Sequence, residues 1–203
     1  MIRTCLFDMG NVLVFFSHDR MCEQLGRLCD RSAADIRTLL IESGIQWNYE
    51  RGQLSGEQFR DWFQTATDCD VTMAAVNQAG SDIFCLNEPI VPILDQLKQS
   101  GMRLVLLSNT CQSHFDWIHE HFDVLSRFDD FVISCEVGAM KPEPEIYQAA
   151  IQKIGCRPEE CFYTDDIPQY IAAGRAHGLQ AEVYTDVPSL IRHLQALGVS
   201  ALP

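Results

Sequence analysis

The 203-residue chain reads as an α/β protein: a doubly wound parallel sheet with a small helical cap inserted after the first strand. Three observations predict this. Short apolar runs recur between helix-like segments, the pattern of parallel strands joined by crossover helices and buried on both faces. Four polar signals sit at, or just beyond, the ends of such runs, and in a parallel sheet those ends converge on one edge. Between about residues 16 and 85 the alternation gives way to helical patterns alone.

The elements follow in order. Residues 2–7 form a first apolar run that ends at Asp8-Met9-Gly10-Asn11, and a second run, Val12 to Phe16, comes directly after. Further strand-like runs lie at Arg103 to Ser108, Phe131 to Ser134, Cys161 to Thr164 and Ala181 to Tyr184. Pro89 to Gln99 carries Ile90, Ile93, Leu94 and Leu97 at helical spacing and stops at Gly101, a C-terminal cap. Pro142 to Ile154 has a proline in its first turn, presents Ile146, Ala149, Ala150 and Ile154 on one face, and stops at Gly155. Within the insert, Ser32-Ala33-Ala34-Asp35 and Ser55-Gly56-Glu57-Gln58 read as helix-capping boxes. The second opens a helix bearing Phe59, Trp62 and Phe63, of which Trp62 and Phe63 should hold the insert together. The predicted division is therefore a core of residues 1–15 and 86–203 and a cap of residues 16–85. The cap enters beyond the carboxyl end of the first strand, where open α/β sheets place their ligands. After Leu197 a short frayed tail is expected.

Composition narrows the function. The chain is 47% hydrophobic and 21% charged, enough apolar material for one buried core and a smaller insert. No apolar run nears the roughly 18 to 20 residues that span a bilayer, and the start lacks a signal-peptide organisation, so a cytoplasmic location is expected. Nine scattered cysteines, never spaced Cys-x-x-Cys, read as reduced thiols rather than disulfides or zinc ligands. A formal net charge of −13 argues against nucleic-acid or anionic-membrane partners.

Singly, the four polar signals are ordinary turn chemistry. Together they pose a problem in electrostatics. Asp165 and Asp166, brought beside Asp8, would repel unless a hard cation bound them, and magnesium (Mg2+) prefers such oxygen ligands. An aspartate at a strand end can act as a nucleophile and divide one difficult step into two. Ser108 and the backbone after it can donate to an anion's oxygens, Asn109 can orient an anion or a nucleophile, and Lys141 is a flexible point charge suited to neutralising both.

The order Phe7-Asp8-x-Gly10-Asn11-Val12-Leu13, Leu106-Leu107-Ser108-Asn109-Thr110, Gly138-x-x-Lys141-Pro142 and Phe162-Tyr163-Thr164-Asp165-Asp166 resembles all four motifs of the haloacid dehalogenase superfamily and spans nearly the whole chain. The stretch Tyr49-Glu50-x-Gly52-x-Leu54-Ser55-x-Glu57-x-Phe59 is similar to capped phosphatases acting on glucose 1-phosphate and to the phosphatase domain of soluble epoxide hydrolases. The resemblance implies a magnesium-dependent phosphatase acting on a small phosphorylated substrate, a sugar phosphate, through an aspartyl-phosphate on Asp8. It implies metal ligation by Asp8, the Gly10 carbonyl and Asp166, catalytic roles for Asp8, Ser108, Lys141 and Asp165, and substrate contacts from Ser108, Asn109 and Lys141. Asp165 would stand behind the metal ligands, paired with Lys141.

Two positions depart from the pattern. Such phosphatases usually carry a second aspartate two residues after the nucleophile, as acid for the leaving alcohol and then base for water; here that residue is Gly10. General acid–base help is worth about 10² to 10⁴ in rate. Three readings follow: a phosphatase whose proton comes from elsewhere, a metal-independent 2-haloacid dehalogenase, or a catalytically weak binding or regulatory protein. His18 and His114, each after a motif, are sources for the missing proton. Four residues beyond Asp166, where relatives often have Asn or Asp, stands Tyr170, set to bind a metal-bound water or to face solvent. Trp47, Tyr49, Glu50 and Arg51 are placed to project from the cap toward substrate, whereas His119 and His121 fall on different sides of a helix and share no metal.

Overall fold

The computed structural model describes residues 1–199. The chain opens with β1 (Thr4–Phe7) and β2 (Val14–Phe16), then runs through α1 (His18–Leu28), α2 (Ala33–Arg37), α3 (Ile45–Glu50), α4 (Gly56–Thr67) and α5 (Met73–Ser81) to β3 (Phe84–Leu86). Thereafter helices and strands alternate: α6 (Val91–Gln99), β4 (Arg103–Ser108), α7 (Gln112–His121), β5 (Asp130–Ile133), α8 (Ser134–Val137), α9 (Pro144–Lys153), β6 (Cys161–Asp165), α10 (Pro168–Ala176), β7 (Gln180–Val183) and α11 (Val187–Ala196).

Five strands make one parallel sheet in the order β5-β4-β1-β6-β7. All four β1 residues are buried because both faces are covered, and they alternate between two cores. Cys5 and Phe7 point into one with α6 and α11, through Ile93, Leu94, Leu97, Leu190 and Leu194. Leu6 points into the other with α9 and α10, through Ile146, Ala150 and Ile171. From β1 the chain first builds outward through β4 and β5, then crosses back to β6 and β7. The switch point is therefore between β1 and β6, where the crevice of an open α/β sheet opens. Phe7 is paired with Thr164, so Asp8, Asp165 and Asp166 face each other across that crevice.

The insert differs from the helix-only expectation at its base. Val14–Phe16 and Phe84–Leu86 pair antiparallel as a two-stranded ribbon, so the chain leaves the core and returns to it through adjacent strands. Three-residue strands carry no readable alternation, which is why the pattern missed β3. Above the ribbon, both predicted capping boxes are formed: Ser32 and Asp35 start α2, and Ser55 and Gln58 start α4. Phe59, Phe63, Ile36, Leu40 and Met21 build a separate apolar cluster, with Trp62 packed against it. Tyr49 also lies there, stacked on Phe59 at 4.6 Å between ring centroids.

Two smaller expectations change. Helix α9 begins at Pro144, which supplies the first-turn proline; Pro142 lies before it, after a cis peptide bond with Lys141. Val199 is buried and its N–H bonds Leu194 O, so the chain is docked to that point, and the rest of the expected frayed tail lies outside the described residues.

Candidate active site

Asp8, Ser108, Lys141 and Asp166 all line one cleft of about 510 Å³ at the carboxyl edge of the sheet. At its floor the Lys141 ammonium, itself fully buried, donates to Asp8 Oδ1 at 2.7 Å, Asp165 Oδ2 at 2.6 Å and the Leu107 carbonyl at 3.0 Å. A buried lysine survives as a cation only with such partners. Burial disfavours its charge, yet Asp165 and Asp8 outweigh burial and hold it well above the ordinary lysine range. The Tyr170 ring lies 5.1 Å from Nζ, adding a cation–π contact.

Asn109 fixes where Lys141 sits. Its Oδ1 accepts the Lys141 N–H at 2.7 Å and its Nδ2 donates to the Lys141 carbonyl at 3.1 Å. Both ends of the amide are thus spent on the Lys141 backbone. The same Nδ2 is 3.4 Å from the Tyr170 hydroxyl, so Tyr170 turns inward over the lysine rather than out to solvent.

Asp8, Asp165 and Asp166 each offer an oxygen, and the three lie within 4.8 Å of one another. Burial pushes the Asp8 carboxyl up to about 7 against the pull of Lys141, with Asp165 pushing it further. Burial also raises Asp166, opposed by a hydrogen bond from Asn11. Three carboxylates facing a single ammonium are under-neutralised, which is the electrostatic demand a hard divalent cation meets. The donor set fits magnesium. Within it Asp165 is the most committed: Oδ2 takes both Lys141 and the Tyr163 hydroxyl (2.7 Å), and Oδ1 takes the Ile167 N–H (2.9 Å). Asp166 spends one oxygen on Asn11 Nδ2 at 3.0 Å.

Residue 10 lines the same cleft, and the space a side chain would need there is taken. A Cβ built on Gly10 falls 2.9 Å from Phe16 Cε1. Both histidines singled out from sequence also reach the cleft, His18 half-buried and His114 buried. Burial lowers the pKa of each, and His114 Nε2 is 3.1 Å from the Gly80 carbonyl. His119 and His121 are exposed at the end of α7, away from the site.

The insert supplies Trp47, Glu50 and Arg51 to the cleft, whereas Tyr49 turns back into the insert's apolar cluster and donates to Ser113 Oγ at 3.1 Å. Contacts missed by sequence reasoning tie cap to core. Arg51 pairs with Glu143 at 2.6 Å, and the Ser134 hydroxyl donates to the Glu50 carbonyl at 2.6 Å while accepting the Thr110 N–H. Partners 84 and 92 residues apart leave no local signal.

The sequence model of the haloacid dehalogenase-like hydrolase family matches residues 2–178. The chain belongs to that family and is a hydrolase. Similar proteins include the D-ribitol-5-phosphate phosphatase of Bacteroides thetaiotaomicron, 28% identical over 191 residues that cover 89% of this chain and 90% of the relative. Bifunctional epoxide hydrolase 2 of Rattus norvegicus is 27% identical over 122 residues, covering 58% of this chain but only 22% of that protein. A predicted family hydrolase of Porphyromonas gingivalis superposes with TM-score 0.82 at 26% identity, covering 96% of this chain and 98% of its own. A B. thetaiotaomicron family enzyme solved with magnesium and inorganic phosphate gives 0.80 at 24%, covering 95% and 100%. The L-2-haloacid dehalogenase of Xanthobacter autotrophicus gives 0.65 at 14%, covering 100% and 85%. Phosphatase and dehalogenase thus share this fold, and the choice between them falls to the side chains.

Proposed function

We propose that the protein is a magnesium-dependent phosphatase that hydrolyses a small phosphomonoester, a sugar phosphate, through an aspartyl-phosphate on Asp8. The observation that carries the reading is the carboxylate set of Asp8, Asp165 and Asp166 within 4.8 Å, facing one buried ammonium. Displacement of halide from carbon by one aspartate needs no such set, which ranks the dehalogenase reading second. The full-length similarity to a ribitol-phosphate phosphatase supports a polyol or sugar leaving group.

In this reading Asp8, the Gly10 carbonyl and Asp166 hold the metal, which when bound neutralises phosphate charge and orients the ester. Asp165 stays behind the ligands and keeps Lys141 aimed at Asp8. An Asp8 carboxylate oxygen attacks phosphorus in line, while the Ser108 hydroxyl and following backbone N–H groups receive the equatorial oxygens and Lys141 neutralises charge shared by nucleophile and phosphoryl group. Asn109 keeps that lysine in register. Residues 16–85 act as the cap over a core of 1–15 and 86–203, excluding water and selecting the leaving group. No helix among the described residues is long and apolar enough to cross a membrane, and all nine cysteines are free, in keeping with a cytoplasmic location. A screen of sugar, polyol, nucleotide and amino-acid phosphates with magnesium tests the substrate class: highest kcat/KM is expected on a sugar or polyol phosphate. Metal-independent halide release from a 2-haloacid, with no phosphate release, would reverse the ranking.

A further inference from the structure

The phosphatase reading creates a chemical demand that Gly10 cannot meet. An alcohol leaving group needs a proton as its bond to phosphorus breaks, and Phe16 fills the space where an acid on residue 10 would stand. The donor must be another group on the cleft wall, protonated near neutral pH and not already committed.

Most ionisable groups of that wall fail one of these conditions. Lys141 is bound by two carboxylates and cannot release its proton. Glu143 is paired with Arg51 and accepts the Met140 N–H, interactions that hold its carboxyl below the usual range and therefore ionised. The His114 Nε2 faces the Gly80 carbonyl, and burial keeps its ring neutral. His18 is also held neutral, by burial first and then by His114 and Arg37. Tyr170 keeps its proton, but burial raises its hydroxyl further above the ordinary tyrosine range, which unsuits it as the base of the second step.

Glu50 combines an uncommitted oxygen with a carboxyl that burial holds above its ordinary range. It is the last residue of α3, 7% exposed, and its backbone is pinned to the core by the Ser134 hydroxyl, so its side chain enters the cleft from a fixed point. Gln46 Nε2 donates to Oε1 at 2.9 Å, and among the described residues no hydrogen bond reaches Oε2. Burial raises its carboxyl, opposed by the Gln46 bond and by His114. Cys111, at the start of α7, also faces it, and α8 presents the neutral Ser134 hydroxyl to its backbone.

We propose that Glu50 is the general acid and base of the reaction, carried by the cap in place of residue 10. In the first step an Asp8 oxygen bonds to phosphorus, the bond from phosphorus to the leaving oxygen breaks with its electron pair, and that oxygen takes the Glu50 proton. Alcohol, aspartyl-phosphate and the Glu50 carboxylate result. In the second step Glu50 takes a proton from water as the water oxygen bonds to phosphorus. The bond to Asp8 breaks, its electrons return to the carboxylate, and inorganic phosphate leaves with Glu50 reprotonated.

A leaving-group series separates this role from substrate recognition, using p-nitrophenyl, trifluoroethyl and ethyl phosphate, none of which has a sugar hydroxyl to recognise. With magnesium, Glu50→Gln lowers kcat/KM for ethyl phosphate by about 10² to 10³-fold, trifluoroethyl phosphate less, and p-nitrophenyl phosphate, which needs no acid, by under about threefold. With p-nitrophenyl phosphate the variant shows a burst of about one nitrophenolate per chain and a lowered kcat, because the second step still needs a base. The burst also reports that the variant is folded and Asp8 competent. Glu50→Asp recovers part of the ethyl phosphate rate. An equal loss across the series, or a leaving-group dependence that appears in His18→Gln and not in Glu50→Gln, overturns the assignment. Absence of turnover by the unaltered chain on every ester overturns the phosphatase reading itself, whereas a uniform loss overturns Glu50 alone.

Discussion

Gly52 is the seam on which the cap is set, and Gly52→Ala is the sharpest probe of the cap. Gly52 has φ of 76°, where an L-residue pays about 1–2 kcal/mol, and a Cβ there falls 2.1 Å from the Cys135 carbonyl oxygen and 2.9 Å from its carbon. Both atoms are backbone, so relief requires the cap edge and the start of α8 to separate by about an ångström, at a further cost of about 1–3 kcal/mol. A total of roughly 2–5 kcal/mol lowers Tm by about 4–20 °C in a domain of this size. The same separation pulls Arg51 from Glu143 and the Glu50 carbonyl from Ser134, so the cleft opens. A misplacement of about 1 Å costs on the order of 10²-fold in rate. Calorimetry and kcat/KM on the best phosphomonoester check both figures. Gly52→Asn, which tolerates the backbone angle better but carries the same Cβ, should recover some stability and little activity. An alanine variant with unchanged Tm and full activity would refute the contact between cap and core.

Removing Lys141 tests the floor of the site: Lys141→Met strands Asp8 beside Asp165, should cost about 3–5 kcal/mol by denaturant titration, and should abolish turnover. Lys141→Arg should not restore activity, since a planar fork cannot replace a point charge bonded to three oxygens in a closed pocket. Chelation should stop phosphate release, magnesium should restore it, and added magnesium should raise Tm by binding only the folded carboxylate set. At the far edge of the sheet, burial tends to raise the Asp129 carboxyl, but Lys98 and the Leu104 N–H prevail and hold it low. A lowered folded pKa gives stability that is present above the unfolded value of about 3.9 and is lost as pH falls through the folded value. Asp129→Asn should therefore be less stable than the unaltered chain at pH 7, with the gap closing below about pH 4 in acid unfolding.

The parallel core was legible because its signals are local and physically strong. β1, β4 and β6 are buried on both faces, so each reads as an unbroken apolar run, and each run stops at a residue the site uses: Asp8, Ser108 and Asp165. Both capping boxes were readable for the same reason, since a serine and its partner three residues on make a closed local circuit. What escaped was long-range. Nothing near Glu50 announces that Ser134 holds its backbone, or near Arg51 that Glu143 is its partner. The packing of the Tyr170 ring against Lys141, 29 residues upstream in the chain, likewise leaves no local signal. The missing side chain at Gly10 was visible in the sequence; that the Phe16 ring stands 2.9 Å from the place of its Cβ required the structure.

Chemical trapping of the phosphoenzyme tests the central claim most directly. Quenching turnover of p-nitrophenyl phosphate and reducing the acyl phosphate with borohydride should convert Asp8, and no other carboxylate, to homoserine in the peptide that begins the chain. The product should be absent after chelation and absent in Asp8→Asn, which should also release no phosphate. Sustained, magnesium-independent turnover by Asp8→Asn, or reduction at a different residue, would contradict aspartate attack on phosphorus.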